Sequence, residues 1–289
     1  MTAFTRTSIN KIVVGIDGYV DSRRAFQWAT ELAAAEQAQV VAVMAWAYPP
    51  GLMLPTLVAP SIPAGLLADG AARRLRAFVN AYTTNPDVVV KRETVMGSPR
   101  TALTELSEDA DLLVVGRTGS NRVTRALAGS TASSCARNAA CPVVIVGDQV
   151  KPAKTITVAV DGSDSSIDAL VWALGRGPDH DIVAVYSHDE WELDELPLDD
   201  DFRRGLSDEA AKMLEAAVAK AVERTGDDDD RVIRQIRQGD PRTTIVEQGD
   251  PSELLVLGAH GHSGLTRWVL GSLADYAVHH APGTVVICR

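Results

Sequence analysis

Lys11-Ile12-Val13-Val14-Gly15-Ile16-Asp17-Gly18 returns downstream as Thr155-Ile156-Thr157-Val158-Ala159-Val160-Asp161-Gly162, a short apolar run that stops at Asp-Gly. The first copy runs on through Ser22 into an Ala-rich stretch. The second runs on through Ser163, Ser165 and Ser166 into Ala169-Leu170-Val171-Trp172-Ala173. Two further pairs keep nearly the same offset: Asp111-Leu112-Leu113-Val114-Val115-Gly116 with Glu253-Leu254-Leu255-Val256-Leu257-Gly258, and Val144-Ile145-Val146 with Val286-Ile287-Cys288. Self-similarity at a fixed period is the mark of a repeated structural unit. One domain is duplicated, with the seam near Gly147 to Lys154, and the expected domains are 1–149 and 150–289.

Inside each copy, short Val/Ile-rich runs alternate with longer Ala/Leu stretches of helical period. Strands are expected near 11–16, 39–46, 88–95, 111–116 and 143–146, and again near 155–160, 181–187, 231–237, 253–258 and 284–288. Helices of the first copy are expected near 22–36, 63–82, 99–109 and 128–139. Apolar strands alternating with helices imply parallel β-α-β units and a sheet covered on both faces. The fold class is therefore α/β, two tandem doubly wound domains. Ligands on such sheets bind beyond the carboxyl ends of the strands, where strand order reverses.

The 289 residues suit two domains, each able to bury its own core. With 38 acidic against 28 basic side chains and a net charge of -10, the chain lacks the basic surface needed to displace counterions from nucleic acid. The same balance disfavours docking on an anionic membrane. The start of the chain, Met1 to Asn10, is polar, and no apolar run approaches the roughly 20 residues that span a bilayer. A soluble, cytoplasmic protein is expected. Cys135, Cys141 and Cys288 form no C-x-x-C pair and no disulfide framework, and are read as buried thiols. The longest irregular stretches, Tyr48 to Ile62 and His188 to Asp201, have the length of lids or partner surfaces. The acid runs Asp199-Asp200-Asp201 and Asp227 to Asp230 lack the spacing of a calcium loop and read as solvated surface.

After the fourth strand the copies read Gly116-Arg117-Thr118-Gly119…Gly129-Ser130-Thr131 and Gly258-Ala259-His260-Gly261…Gly271-Ser272-Leu273. The spacing G-x-x-G-x9-G-S is kept while the intervening residues differ. Glycine permits positive φ and close approach of a ligand to the backbone. Gly129-Ser130 and Gly271-Ser272 are placed to open the next helix, whose free N–H groups and positive dipole end suit phosphate. The alternative is a set of turn glycines with a serine cap, but retention in both halves favours phosphate. Asp17 and Asp161, ending the first strands, would repel a polyphosphate directly. They suit acceptance from ribose hydroxyls or a base amine, an indirect metal role, or an Asx-turn. No G-x-x-x-x-G-K-[ST], G-x-G-x-x-G or G-x-S-x-G sequence occurs, so Ser130 and Ser272 are not nucleophiles by motif. His260, His262, His279 and His280 have no spaced carboxylate or cysteine partner for zinc.

Together with Gly97-Ser98-Pro99-Arg100 and Gly239-Asp240-Pro241-Arg242, these segments resemble the universal stress protein family in its tandem two-domain form, over nearly the whole chain. The resemblance implies five-stranded parallel sheets of order 3-2-1-4-5, similar to other adenine-nucleotide α-hydrolase-like folds. It implies ATP, with Mg2+, held with adenine near the first two strands and the triphosphate on the glycine loop. Carried over by position, the first site is Gly15, Asp17, Ala45, Gly116, Gly119, Gly129, Ser130 and Thr131. The second is Asp161, Ser187, Gly258, Gly261, Gly271, Ser272 and Leu273. Ala159 departs from the glycine at Gly15, and Tyr19 stands where the second copy has Ser163. A non-catalytic, ATP-binding stress regulator is expected, a homodimer acting on a signalling partner protein. The competing functions are a slow ATP hydrolase, with Asp17 or Asp161 helping to place a water but no arginine or lysine clearly aimed at the γ-phosphate although Arg117, Arg122 and Arg125 lie in the first loop, or a nucleotide-independent interaction scaffold. Some members of the family favour cAMP in place of ATP.

Overall fold

Val13 is fully buried, paired with Val41 on one side and Leu113 on the other, and the register of its parallel strand organises the first half of the chain. The computed structural model describes residues 8–48, 63–117, 128–147, 153–188, 200–261 and 270–289. Outside them lie nearly all of the two expected long loops, the seam between 148 and 152, and Thr118, Gly119, Arg122, Arg125 and His262.

The chain divides into two compact units. The N-terminal unit runs β1 (Lys11–Gly15), α1 (Val20–Glu36), β2 (Gln39–Trp46), α2 (Ala64–Tyr82), β3 (Val90–Met96), α3 (Pro99–Leu106), β4 (Leu112–Gly116), α4 (Ser130–Asn138) and β5 (Val143–Val146). Its strands lie in the order β3-β2-β1-β4-β5, all pairs parallel. The C-terminal unit runs β6 (Thr155–Ala159), α5 (Asp164–Leu174), β7 (Asp181–His188), α6 (Asp200–Thr225), β8 (Val232–Gln238), a π-helical segment Arg242–Glu247, β9 (Leu254–Gly258), α7 (Ser272–His280) and β10 (Thr284–Cys288). Its order is the same, β8-β7-β6-β9-β10, again parallel. Each unit therefore has the 3-2-1-4-5 arrangement that the resemblance implied.

Parallel central strands must be apolar on both faces, and Ile12, Val14, Leu112, Leu113, Ile156 and Val158 are fully buried. Helices close those faces. Phe26 of α1 meets Phe78 of α2 edge to face, centroids 5.8 Å apart. The expected cover is incomplete at β3 and β8, each of which is paired with a single strand in its unit. There Lys91, Arg92 and Glu93, and on β8 Ile233, Gln235 and Ile236, are exposed. Arg234 pairs with Glu215 at 2.9 Å and with Asp229 at 2.5 Å. The expected helix over 99–109 ends at Leu106, and Ser107–Asp109 form a 3-10 turn. The corresponding stretch of the second half is wound as a π-helix, a difference that periodicity does not encode.

All three cysteines are buried. Burial pushes the Cys135 and Cys141 thiols up to about 12, and Cys288 is raised as well. An ordinary thiol, titrating near 8.5, is a substantial fraction thiolate at pH 8, so native Cys135 and Cys141 are expected to react with Ellman's reagent on the order of a thousandfold more slowly than in guanidinium. Fast labelling of the native chain would contradict their burial. By linkage, a folded-state value above the unfolded one gives a stability contribution that is complete below about pH 8.5. That contribution is lost as the pH climbs toward the folded value.

Among the described residues no helix is long and apolar enough to cross a membrane.

Candidate functional site

The carboxyl ends of β6 and β9, where the strand order of the C-terminal unit reverses, open into a cleft of about 310 Å3. That is within the range of small-molecule sites, roughly 300–1,000 Å3. Its lining contains Asp161, Ser187, Gly258, Gly261, Gly271, Ser272 and Leu273, the full second set carried over from the sequence. It also contains Val160, Ser166, Tyr186, Pro241, Ile245, Leu257, His260 and Ala274, which the sequence reading did not assign to the site.

Asp161 is fixed by its own turn. Gly162, at φ 84, turns the chain so that Asp161 Oδ1 accepts from Ser163 N–H at 3.0 Å and from the Ser163 hydroxyl at 2.5 Å. Ser163 also caps α5, its side chain accepting from Ser166 N–H at 3.3 Å. The other carboxylate oxygen lies against the glycine loop, only 2.9 Å from where a Cβ at Gly261 would stand. Asp161 thus takes part in both an Asx-turn and the wall of the cleft. In the N-terminal unit Asp17 Oδ1 accepts from Tyr19 N–H at 2.9 Å, but Tyr19 gives α1 no side-chain cap and is 49% exposed.

The glycines act differently from the sequence expectation. Among the described residues the positive φ values fall at the turn positions, including Gly18, Gly97, Gly162 and Gly239, and not at Gly116, Gly129, Gly258, Gly261 or Gly271. Gly258 is needed for packing: a Cβ there would lie 2.6 Å from the carbonyl carbon and oxygen of Ser165, in the first turn of α5. Gly116 meets Asp21 of α1 in the same way at 2.7 Å. Ser165 Oγ accepts from His260 N–H at 3.2 Å, which ties that turn to the loop after β9. Gly271 is different. It is the N-cap of α7, its N–H donates to the Ala259 carbonyl at 2.7 Å, and the nearest atoms to an added Cβ are 3.4–3.6 Å away on Ala259, His260 and Gly261. Beyond it, the first-turn N–H groups of Ser272, Leu273 and Ala274 have no acceptor within the helix. All three residues line the cleft. With the positive end of the helix dipole, this makes an anion cradle.

Ser187, which lines the cleft, also has a structural task. Its hydroxyl donates to the Gly239 carbonyl at 2.7 Å and lies 2.7 Å from Thr244 Oγ1, so it is committed to holding the cleft wall. Its counterpart Ala45 has no such group. Gly15 ends β1, and a Cβ there would come within 2.8 Å of Leu103 Cδ1. In the second half Ala159 carries that Cβ, and the residue at Leu103's sequence position is Ile245, in the π-helical segment. The Gly-to-Ala departure therefore goes with a rewound wall. Gly129 caps α4 and donates to the Arg117 carbonyl at 2.7 Å, which places Ser130 and Thr131 at a helix start like that of α7. Gly119 lies outside the described residues. Of the residues missed, Ser166 was visible in the Ser163-Ser165-Ser166 cluster, whereas Tyr186 and Ile245 enter the cleft through strand register and helix winding. Among the described residues no three His, Cys, Asp or Glu side chains converge as metal ligands.

The profile of the Universal stress protein family matches residues 8–147 and 152–289. Universal stress protein Rv2005c of Mycobacterium tuberculosis is 29% identical over 301 residues, covering 96% of each chain. Universal stress protein Rv2623 of the same organism is 27% identical over 300 residues, again covering 96% of each. In fold, the chain is similar to a universal stress protein from Archaeoglobus fulgidus, with a TM-score of 0.62, 15% identity, and coverage of 98% of this chain and 99% of that one. A functionally unknown protein from Pseudomonas aeruginosa is similar too, with a TM-score of 0.60, 15% identity and coverage of 98% and 93%.

Proposed function

Because the chain belongs to the universal stress protein family, we propose that it is an ATP-binding, non-catalytic regulator. Its C-terminal unit holds nucleotide in the cleft between β6 and β9, and its N-terminal unit holds a second at the start of α4. The observation that carries this reading is the convergence of Asp161, Gly261, Gly271 and the open first turn of α7 on one cleft of ligand size.

The triphosphate is assigned to the start of α7, where backbone N–H groups face the cleft and the bare Gly271 leaves room above Ala259 to Gly261. The Ser272 hydroxyl adds a donor. Asp161, oriented by Ser163, is an acceptor for ribose hydroxyls or a base amine. Magnesium, carried largely by phosphate oxygens and water, needs only one or two protein carboxylates. Among the described residues lining the cleft Asp161 is the one acid, and it fits as an indirect partner. Bound ATP then favours one conformation or assembly through its differential affinity. The assemblies in question are a homodimer or a complex with a signalling protein in the cytoplasm.

The test is to denature freshly purified chain, identify released nucleotide by chromatography and mass spectrometry, and count molecules per chain. ATP is expected, at up to two per chain. A chain that emerges empty and takes up no added ATP would overturn the reading.

A further inference from the structure

The π-helical segment Arg242–Glu247 forms part of the cleft wall through Ile245, next to Pro241, and it is pinned at both ends. In its middle Thr244 Oγ1 lies 2.7 Å from Ser187 Oγ, and the Thr244 carbonyl accepts from Arg237 Nη1 at 2.7 Å. At its two ends the Tyr276 side chain holds it: the hydroxyl donates to Glu247, and the Arg242 guanidinium sits over the ring at 5.5 Å. A π-helix is a rare winding that recurs at functional sites, and here four side chains from β7, β8, α7 and the segment itself hold it.

The duplication provides an internal comparison. Ser187 and Arg237 face each other in the β7–β8 register, as Ala45 and Val95 do between β2 and β3. The residues at the sequence positions of Thr244 and Tyr276 are Ala102 and Ser134. All four pinning side chains are thus replaced in the first half, where the matching segment is the α-helix α3. Arg100 and Glu105 keep the positions of Arg242 and Glu247 but have no tyrosine to meet. Binding to a wall already fixed avoids the ordering cost that binding to a loose one carries.

We propose that the pins of Thr244 and Tyr276 make the C-terminal cleft the tighter of two unequal nucleotide sites, with Thr244 and Tyr276 as positioning residues. This rests on the nucleotide-binding reading above. The test is calorimetric titration of the full chain with Mg-ATP. Two affinity classes are expected, and Gly271→Asp should remove the tighter one. Thr244→Val should weaken that class about tenfold and leave the other unchanged, while Thr244→Ser restores it; Tyr276→Phe should weaken it about threefold. A folded Thr244→Val chain with wild-type affinity in the class that Gly271→Asp removes would overturn the inference. So would two equal classes, or loss of the weaker class in Gly271→Asp. Wild-type chain that binds no ATP would instead overturn the nucleotide reading, and the inference with it. If Thr244→Val does not fold, Tyr276→Phe, on the exposed side of α7, decides.

Discussion

Replacing Gly271 with Asp is expected to weaken ATP binding in the C-terminal cleft at least a hundredfold, about 2.8 kcal/mol, while the chain remains folded. Gly271 has φ -59 and ψ 151, a conformation open to any residue, and its Cβ would make only ordinary contacts. An aspartate is also among the best N-cap residues, so α7 is stabilised rather than broken. The new carboxylate, however, occupies the cradle assigned to the triphosphate. At 4 Å and an effective dielectric near 20, each unit charge brought against it costs roughly 4 kcal/mol before screening. Isothermal titration of the variant beside Gly271→Ala separates charge from bulk, since the alanine is expected to lose far less. A melting temperature held at the wild-type value together with undiminished ATP binding would remove the phosphate from this helix start.

The second large effect is on stability. Gly258→Ala is expected to destabilise the C-terminal unit by roughly 2–3 kcal/mol. The added methyl would stand 2.6 Å from the Ser165 carbonyl carbon and oxygen, which are backbone atoms in a helical turn and cannot rotate away. Relief requires α5 to shift off β9, which opens the fully buried contacts of Ala169, Leu170 and Val256. Gly116→Ala is expected to do the same to the N-terminal unit, against Asp21. Urea titration monitored by circular dichroism checks this, with Gly271→Ala as the matched control. An unchanged midpoint for Gly258→Ala would show that α5 yields at no cost.

The parallel α/β class of each half was within reach of the sequence because the pattern occurs twice, whereas the strand order 3-2-1-4-5 is what the family resemblance implied. Two apolar runs ending in Asp-Gly, two ending in glycine after Leu-Leu-Val, and helical stretches between them leave few topologies for a parallel sheet. Asp161 and the Gly258, Gly261 and Gly271-Ser272 motif were within reach because they recur in both halves, whereas Ser187 and Leu273 came only with the family resemblance. What each residue does there was less accessible. A glycine in this motif suits close approach by a ligand, but the close neighbour of Gly258 is the backbone of Ser165, a residue distant in sequence. Ser187 lines the cleft as the resemblance implies, and its hydroxyl also bonds Gly239 and Thr244, partners that lie far off in sequence. The second half has the β-branched Thr244, Ile245 and Val246 where the first has Ala102, Leu103 and Thr104, and its π winding is held by tertiary partners such as Arg237 and Tyr276.

The outer strands β3 and β8 have a consequence for how the protein keeps in solution. A strand with a bare edge is a template onto which another chain can add, and proteins discourage this with charge along the edge. Lys91, Arg92 and Glu93 on β3, and Arg234 and Arg237 on β8, place that charge on strands that also expose Met96, Ile233 and Ile236. Neutralising the charged set would leave apolar ribbons prone to sheet-to-sheet growth. Two strands that contribute nothing to the lining of the cleft thus carry charge of the kind that discourages edge-to-edge growth.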